Sequence, residues 1–310
     1  MKLLVGSTGF VGSNLLMTGA FDAAYHRTDV QDAYGSRPDL LVYAGLPAAK
    51  FLANQNPAAD MACIEEAEQN ICRIAPKKLV LISTIDVLKN PVAADEDSLV
   101  DEKGLPAYGL NRYRLECWAR ENYPDALIVR LPGLFGKNLK KNFLYDMLHP
   151  VPSLLAADKF AEFLRQEPVL ADYYTPQENG FYRLKRDADA EKKLLPAFKR
   201  LERLGFSAVK FTDSRSTYQF YPLYRLWQDI NIALQSDIRL LHLAAEPVSA
   251  AEIYHDLTGQ EFVNCWAKTP AAYDYYTKYA ELFGGSGHYI MSKAEVLQEI
   301  RTFMGEERER

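Results

Sequence analysis

The sequence predicts an α/β protein built on a doubly wound parallel sheet, and three observations carry that prediction. A short apolar run, Lys2-Leu-Leu-Val-Gly6, meets a glycine-rich turn, and a helical pattern follows with Phe10, Val11, Leu15 and Leu16 on one side. Apolar strand-like runs then alternate with helix-length amphipathic stretches, the rhythm of successive strand-helix-strand units. One of those runs, Lys78-Leu-Val-Leu-Ile-Ser83, is continuously apolar, as expected of a parallel strand covered on both faces.

Taken in order, a second strand is predicted over Ala23–His26 and a third over Asp39–Gly45, the latter introduced by the breaker Arg37-Pro38. A helix is expected over about 57–74, then the strand 78–83, a polar loop from Lys89 to Pro106, a helix over about 107–121 and a strand over Ala126–Arg130. Residues 140–205 break the rhythm with charged amphipathic helices near 156–166 and 190–204, which suggests a smaller, mostly helical lobe. A helix near 222–235 and a strand over Ile238–Ala244 bring the chain back to the sheet. The expected organisation is therefore a first domain of 1–139, rejoined by about 211–245, and a smaller lobe of 140–210 and 246–310.

Composition narrows the function. Hydrophobic residues make up 48% and charged residues 25% of the 310-residue chain, which excludes a disordered protein. A net charge of −5 argues against a general grip on nucleic acid or on an anionic membrane, so any anion must be held at a local site. The N-terminal apolar run is interrupted by Gly6, Ser7 and Thr8 before it reaches signal-peptide length, and no run approaches a membrane span. Cys63, Cys72, Cys117 and Cys265 show neither C-x-x-C pairing nor metal-ligand spacing. The expectation is a cytoplasmic protein with reduced thiols and no metal.

Gly6, Gly9 and Gly12 fall in G-S-T-G-F-V-G, a spacing that lets the backbone turn sharply and present free N–H groups at a helix N-terminus. Following a strand and opening a helix, this is the confirming context for a Rossmann-type dinucleotide site. Together with Ser83-Thr84 after the fourth strand, Tyr108-Gly-Leu-Asn-Arg112 at the head of the next helix, Arg130-Leu-Pro-Gly-Leu-Phe-Gly136, Gln219–Ile230 and Leu243–Val248, the chain resembles the extended short-chain dehydrogenase/reductases of the NAD-dependent epimerase/dehydratase kind. The resemblance spans most of the chain and points to nucleotide-sugar oxidoreductases of glycan pathways.

That resemblance implies Tyr108 as general acid/base, Thr84 as the hydroxyl that orients the reacting oxygen, and position 112 as the cation beside Tyr108. The family has lysine four residues after the tyrosine; this chain has Arg112, whose planar fork cannot simply imitate an ammonium. The cofactor-binding set is Gly6, Thr8, Gly9, Phe10, Val11, Gly12, His26, Arg27, Thr28, Ala44, Gly45, Ser83, Tyr108, Arg112, Leu131 and Pro132. If the second strand ends at His26, Arg27 and Thr28 meet a 2′-phosphate and NADP is preferred; if it runs to Asp29, NAD is preferred. The reading favours NADP. Asp86, Lys141, Asn142 and Arg215 are substrate-side candidates, and Lys50 and Asn54, after the third strand, lie at the expected cofactor mouth.

The expected function is an NAD(P)-dependent oxidoreductase, epimerase or dehydratase acting on a small-molecule, nucleotide-linked sugar or a similar hydroxy or keto substrate. The alternative is a non-catalytic NADP-binding sensor or scaffold on the same fold, which the missing lysine favours. A homodimer is also expected, with the helices near 57–74 and 107–121 pairing through Ile64, Ala67, Ile71, Leu110, Tyr113 and Trp118.

Overall fold

A computed structural model of the chain describes residues 1–178, 180–185, 188–203 and 207–309. The first strand, β1 (Lys2–Val5), buries three of its four residues and runs through the glycine turn into α1 (Phe10–Leu16). It is joined by β2 (Ala23–Tyr25), β3 (Leu40–Tyr43), β4 (Leu79–Thr84), β5 (Leu127–Leu131) and β6 (Leu240–His242) in one six-stranded sheet of order β6-β5-β4-β3-β1-β2. Every pairing is parallel. The helices α2 (Lys50–Gln55), α3 (Pro57–Ile74) and α4 (Ala107–Asn122) connect β3 to β4 and β4 to β5.

The run read as continuously apolar is continuously buried: Leu79, Val80 and Leu81 have at most 1% of their surface exposed. Leu3, Leu41, Leu79 and Ile128 form one core with Ile64, Ala67 and Ile71 of α3 and with Leu115 and Ala119 of α4. Burying each aliphatic side chain contributes about 1.5–3 kcal/mol, so this layer of helix on sheet stabilises the sheet substantially. Ile64, Ala67 and Ile71, three of the six residues expected at a dimer contact, are instead buried against the chain's own sheet.

The chain divides into two units: residues Met1–Leu139, Thr217–Val248 and Ala271–Phe303 in one, and Lys140–Ser216, Ser249–Pro270 and Met304–Arg310 in the other. The segment 271–303, expected in the smaller lobe, therefore belongs with the sheet. Tyr275 is fully buried and its backbone N–H donates to Gln219 Oε1, while Ala245 bridges to Met291. Conversely, 211–216 lies in the second unit. The predicted strand over Ala23–His26 ends at Tyr25, where Tyr25 O accepts hydrogen bonds from the amides of Gly6 and Ser7.

The second unit contains the two amphipathic helices foreseen near 156–166 and 190–204, as Ala157–Gln166 and Ala188–Arg203; Leu204 lies outside the described residues. It also has a three-stranded antiparallel sheet, Leu154–Ala156, Phe181–Leu184 and Tyr174–Pro176, whose strands are too short to show a period in the sequence. Phe160 stacks on Tyr182 at 4.0 Å between ring centroids, joining helix to sheet within this unit.

Candidate active site

Because all its strands are parallel, the sheet brings their C-terminal ends to one edge, and most of the candidate residues follow from that. Gly6 succeeds β1, His26 succeeds β2, Ala44 and Gly45 succeed β3, Thr84 ends β4, and Leu131 ends β5 with Pro132 next to it. Ligands of open parallel sheets bind at this edge, in the crevice where the strand order reverses. Here the chain reverses at β1, which β2 flanks on one side and β3 on the other.

The turn after β1 is built from close backbone approaches. Gly6 has φ +97°, and a β-carbon there would lie 2.4 Å from the Ala44 carbonyl oxygen. A β-carbon on Gly12 would lie 2.0 Å from the Gly6 carbonyl oxygen, so both positions require glycine. Gly9 is different. It is the N-cap of α1 with ordinary extended backbone, and no side chain caps the helix. The first-turn amides, at Phe10, Val11 and Gly12, therefore open toward an anion. Thr8 is exposed beside them.

At the end of β2, Asp29 accepts a hydrogen bond from the His26 amide at 2.7 Å and lies 3.0 Å from His26 Nε2. Its carboxylate is thus committed to the turn. Thr28 Oγ1 lies 2.9 Å from His26 Nδ1. Arg27 has 78% of its side chain exposed, with a loose 3.4 Å ion pair to Glu66.

Tyr108, at the start of α4, is buried with only 8% of its surface exposed, and its amide donates to Asn54 Oδ1 at 2.9 Å. Burial raises the phenol's proton affinity above the ordinary value; the Arg112 charge opposes this, the Asp86 carboxylate adds to it, and Thr84 and Lys50 lower it. The Arg112 guanidinium stacks over the Tyr108 ring, 4.0 Å from its centroid. Its terminal nitrogens are engaged elsewhere: Nη1 with the buried Asp60 carboxylate and the Tyr108 carbonyl, and Nη2 with the Pro47 carbonyl at 2.6 Å. Arg112 therefore ties α4 to α3 and to the loop after β3.

Beside Tyr108, Lys50 Nζ donates to Asp86 Oδ1 at 2.7 Å and lies 3.3 Å from the Tyr273 hydroxyl, which itself donates to Asp86 Oδ1 at 2.8 Å. Tyr273 escaped the sequence reading. It is 187 positions from Asp86, in a segment assigned to the other lobe, and no local pattern announces such a pairing.

Ser83 points inward rather than to the edge. Its hydroxyl donates at 2.6 Å to Glu116, which is fully buried and also holds Arg130 through Nε and Nη2. Lys141, Asn142 and Arg215 lie in the second unit. Asn142 caps the helix Phe143–Leu148, and Arg215 forms a two-pronged pair with Asp213 and donates to the Ala267 carbonyl. Among the described residues there is no cluster able to hold a metal ion, and no helix is long and apolar enough to cross a membrane.

No family model and no curated protein sequence matches the chain. Solved structures do match over nearly its whole length. The dTDP-4-dehydrorhamnose reductase of Yersinia enterocolitica superposes with a TM-score of 0.63 at 12% identity, covering 98% of both chains. The corresponding reductase of Bacillus anthracis, solved with NADP, gives 0.60 at 14% identity over 98% of this chain and 97% of that one. The UDP-N-acetylglucosamine 4-epimerase of Methanobrevibacter ruminantium, solved with UDP-N-acetylmuramic acid, gives 0.62 at 11% identity over 98% and 96%. At these identities the likeness is one of fold, the Rossmann-type α/β fold the glycine turn implied.

Proposed function

We propose that the protein is an NAD(P)-dependent oxidoreductase acting on a nucleotide-linked sugar, with Tyr108 as its proton donor and acceptor. The observation that carries this reading is the grouping of Tyr108, Thr84, Asp86 and Lys50 beyond the end of β4, on the same sheet whose β1 ends in an uncapped glycine turn. Two of the fold relatives add support, one structure having been solved with NADP and the other with UDP-N-acetylmuramic acid.

The residues present fit a dinucleotide. The two required glycines bring the turn close enough to the Ala44 carbonyl for a pyrophosphate to reach the open first turn of α1. A bound nicotinamide would supply or accept hydride, and the chain's own groups do the rest. Tyr108, protonated at neutral pH like any tyrosine and more firmly so through burial, suits delivery of a proton to a carbonyl oxygen, the reductive direction. Thr84, beside the phenol, orients that oxygen.

NADP is the preferred form. Asp29, the carboxylate that would accept from a ribose 2′-hydroxyl, is bound to His26, whereas Arg27 is exposed and its surface pair with Glu66 is weak. The test is hydride transfer, followed by nicotinamide absorbance, across a panel of nucleotide sugars with each cofactor. Turnover with NADPH of at least one keto-sugar nucleotide is expected; no turnover with any would count against the reading. Arg27→Ala should weaken NADPH by about 1.5–3 kcal/mol and leave NADH nearly unchanged. Equal losses would show that Arg27 does not meet the phosphate.

A further inference from the structure

Two cations approach Tyr108, and they differ in kind. Arg112 exerts the larger charge effect on the phenol, but it is a fixed part of the core, 3% exposed, over the ring face and bound to Asp60. Lys50 comes from α2, the helix whose Asn54 accepts from the Tyr108 amide. Its side chain is 47% exposed, it begins α2, and its ammonium is held by an acceptor, Asp86, that also bears on the phenol. The groups facing Tyr108 are thus Arg112 from its own helix, Lys50 from α2, Thr84 and Asp86 from the end of β4, and Tyr273 from the segment 271–303; Asp60 of α3 acts on it through Arg112.

We infer that Lys50 is a positioning residue for proton transfer at Tyr108, its ammonium offsetting the Asp86 carboxylate and holding it, with the Tyr273 hydroxyl, in a fixed place beside the phenol. The inference rests on the reading of Tyr108 as the acid/base. A carboxylate near a desolvated phenol, left unpaired, favours the protonated form and makes the phenol a poorer donor. An ammonium 2.7 Å from that carboxylate cancels most of its field. This second cation thus comes from a different helix, 58 positions earlier in the chain than Tyr108. Lysine suits the place because its flexible stem lets the ammonium stay at the solvent margin while bridging two oxygens.

The test needs neither substrate nor cofactor, so it can fail separately from the assigned activity. Trifluorotyrosine, whose phenol ionises near neutral pH, is incorporated in place of Tyr108 in the full chain, and its ionisation is followed by fluorine NMR. Lys50→Met is expected to raise the midpoint by on the order of one pH unit, and Lys50→Arg to restore most of it. Asp86→Asn should lower the midpoint, and in that background Lys50→Met should have little further effect, because the charge it offsets is gone. A midpoint unmoved by Lys50→Met overturns the inference, as does an equal rise with and without the Asp86 carboxylate. If the midpoint moves as expected while Tyr108→Phe leaves turnover intact, the assignment of Tyr108 falls instead.

Discussion

Tyr108→Phe is expected to lower turnover about 10²–10⁴-fold, the usual contribution of a positioned proton donor, while dinucleotide affinity stays almost unchanged. The substitution removes one oxygen and little else. The Arg112 guanidinium rests on the ring face, 4.0 Å from the centroid, and the Asn54 contact is made by the backbone amide, so both survive. The phenol's raised proton affinity gives the wild type a definite pH signature. The acid form persists through the neutral range, so reductive turnover should hold there and decline only on the alkaline side, where the proton is lost. The check is initial rate against pH for both proteins. A protein that only senses the cofactor would lose nothing in the variant.

Removing Glu116 should be as costly to stability as removing the Tyr108 hydroxyl is to activity. Glu116 is fully buried and accepts from Ser83, from Arg120 and, twofold, from Arg130, itself 1% exposed. Glu116→Ala strands the Arg130 charge in the interior, at a cost of about 3–5 kcal/mol. Adding Arg130→Met should recover much of this, since an apolar side chain of similar volume needs no partner. Urea unfolding of the three proteins tests it; a Glu116→Ala variant as stable as the wild type would show the network to be dispensable.

The same network gives a pH dependence of definite sign. His242 lies 3.2 Å from Arg130 Nη1, and burial, reinforced by that charge, lowers its pKa from 6.5 to about 3. The unfolded chain binds a proton below about 6.5 that the folded chain refuses until about 3, so stability should fall as pH drops through that window. The expected slope from this residue is up to ~1.4 kcal/mol per pH unit. His242→Gln should lack it.

What the sequence disclosed follows the range over which each feature is encoded. The strands at 2–5 and 79–84 and the helices at 57–74 and 107–122 show in local periodicity, because each must bury one face or both. The glycine turn shows for the same reason: Gly6 and Gly12 are dictated by backbone atoms within a short loop and the neighbouring strand. Hidden were pairings between distant segments. Nothing near Arg112 signals that Asp60 and the Pro47 carbonyl will claim its nitrogens, and nothing near Asp86 signals Tyr273. Ser83 and Thr84 are adjacent, yet strand alternation sends one hydroxyl to Glu116 in the interior and leaves the other beside Tyr108. The division of the chain was similarly obscured, since 271–303 returns to the sheet through Tyr275 and Met291 rather than through a regular strand.

The measurement that bears most directly on the central claim is titration of the protein with NADPH, read by nicotinamide fluorescence, for the wild type and for Gly9→Asp. Aspartate at this position needs only a small adjustment: Gly9 has φ −72°, a β-carbon there would lie 3.2 Å from the Gly6 carbonyl oxygen, which must yield by a few tenths of an ångström, and aspartate is a favoured N-cap. It also sets a carboxylate where the pyrophosphate is to lie, competing for the open amides and repelling the ligand's charge. The expected result is saturable binding on the order of micromolar in the wild type, about 8 kcal/mol, and binding at least ~10-fold weaker in a Gly9→Asp protein of undiminished melting temperature. Equal affinity in the two folded proteins, or no binding by the wild type, would contradict the account.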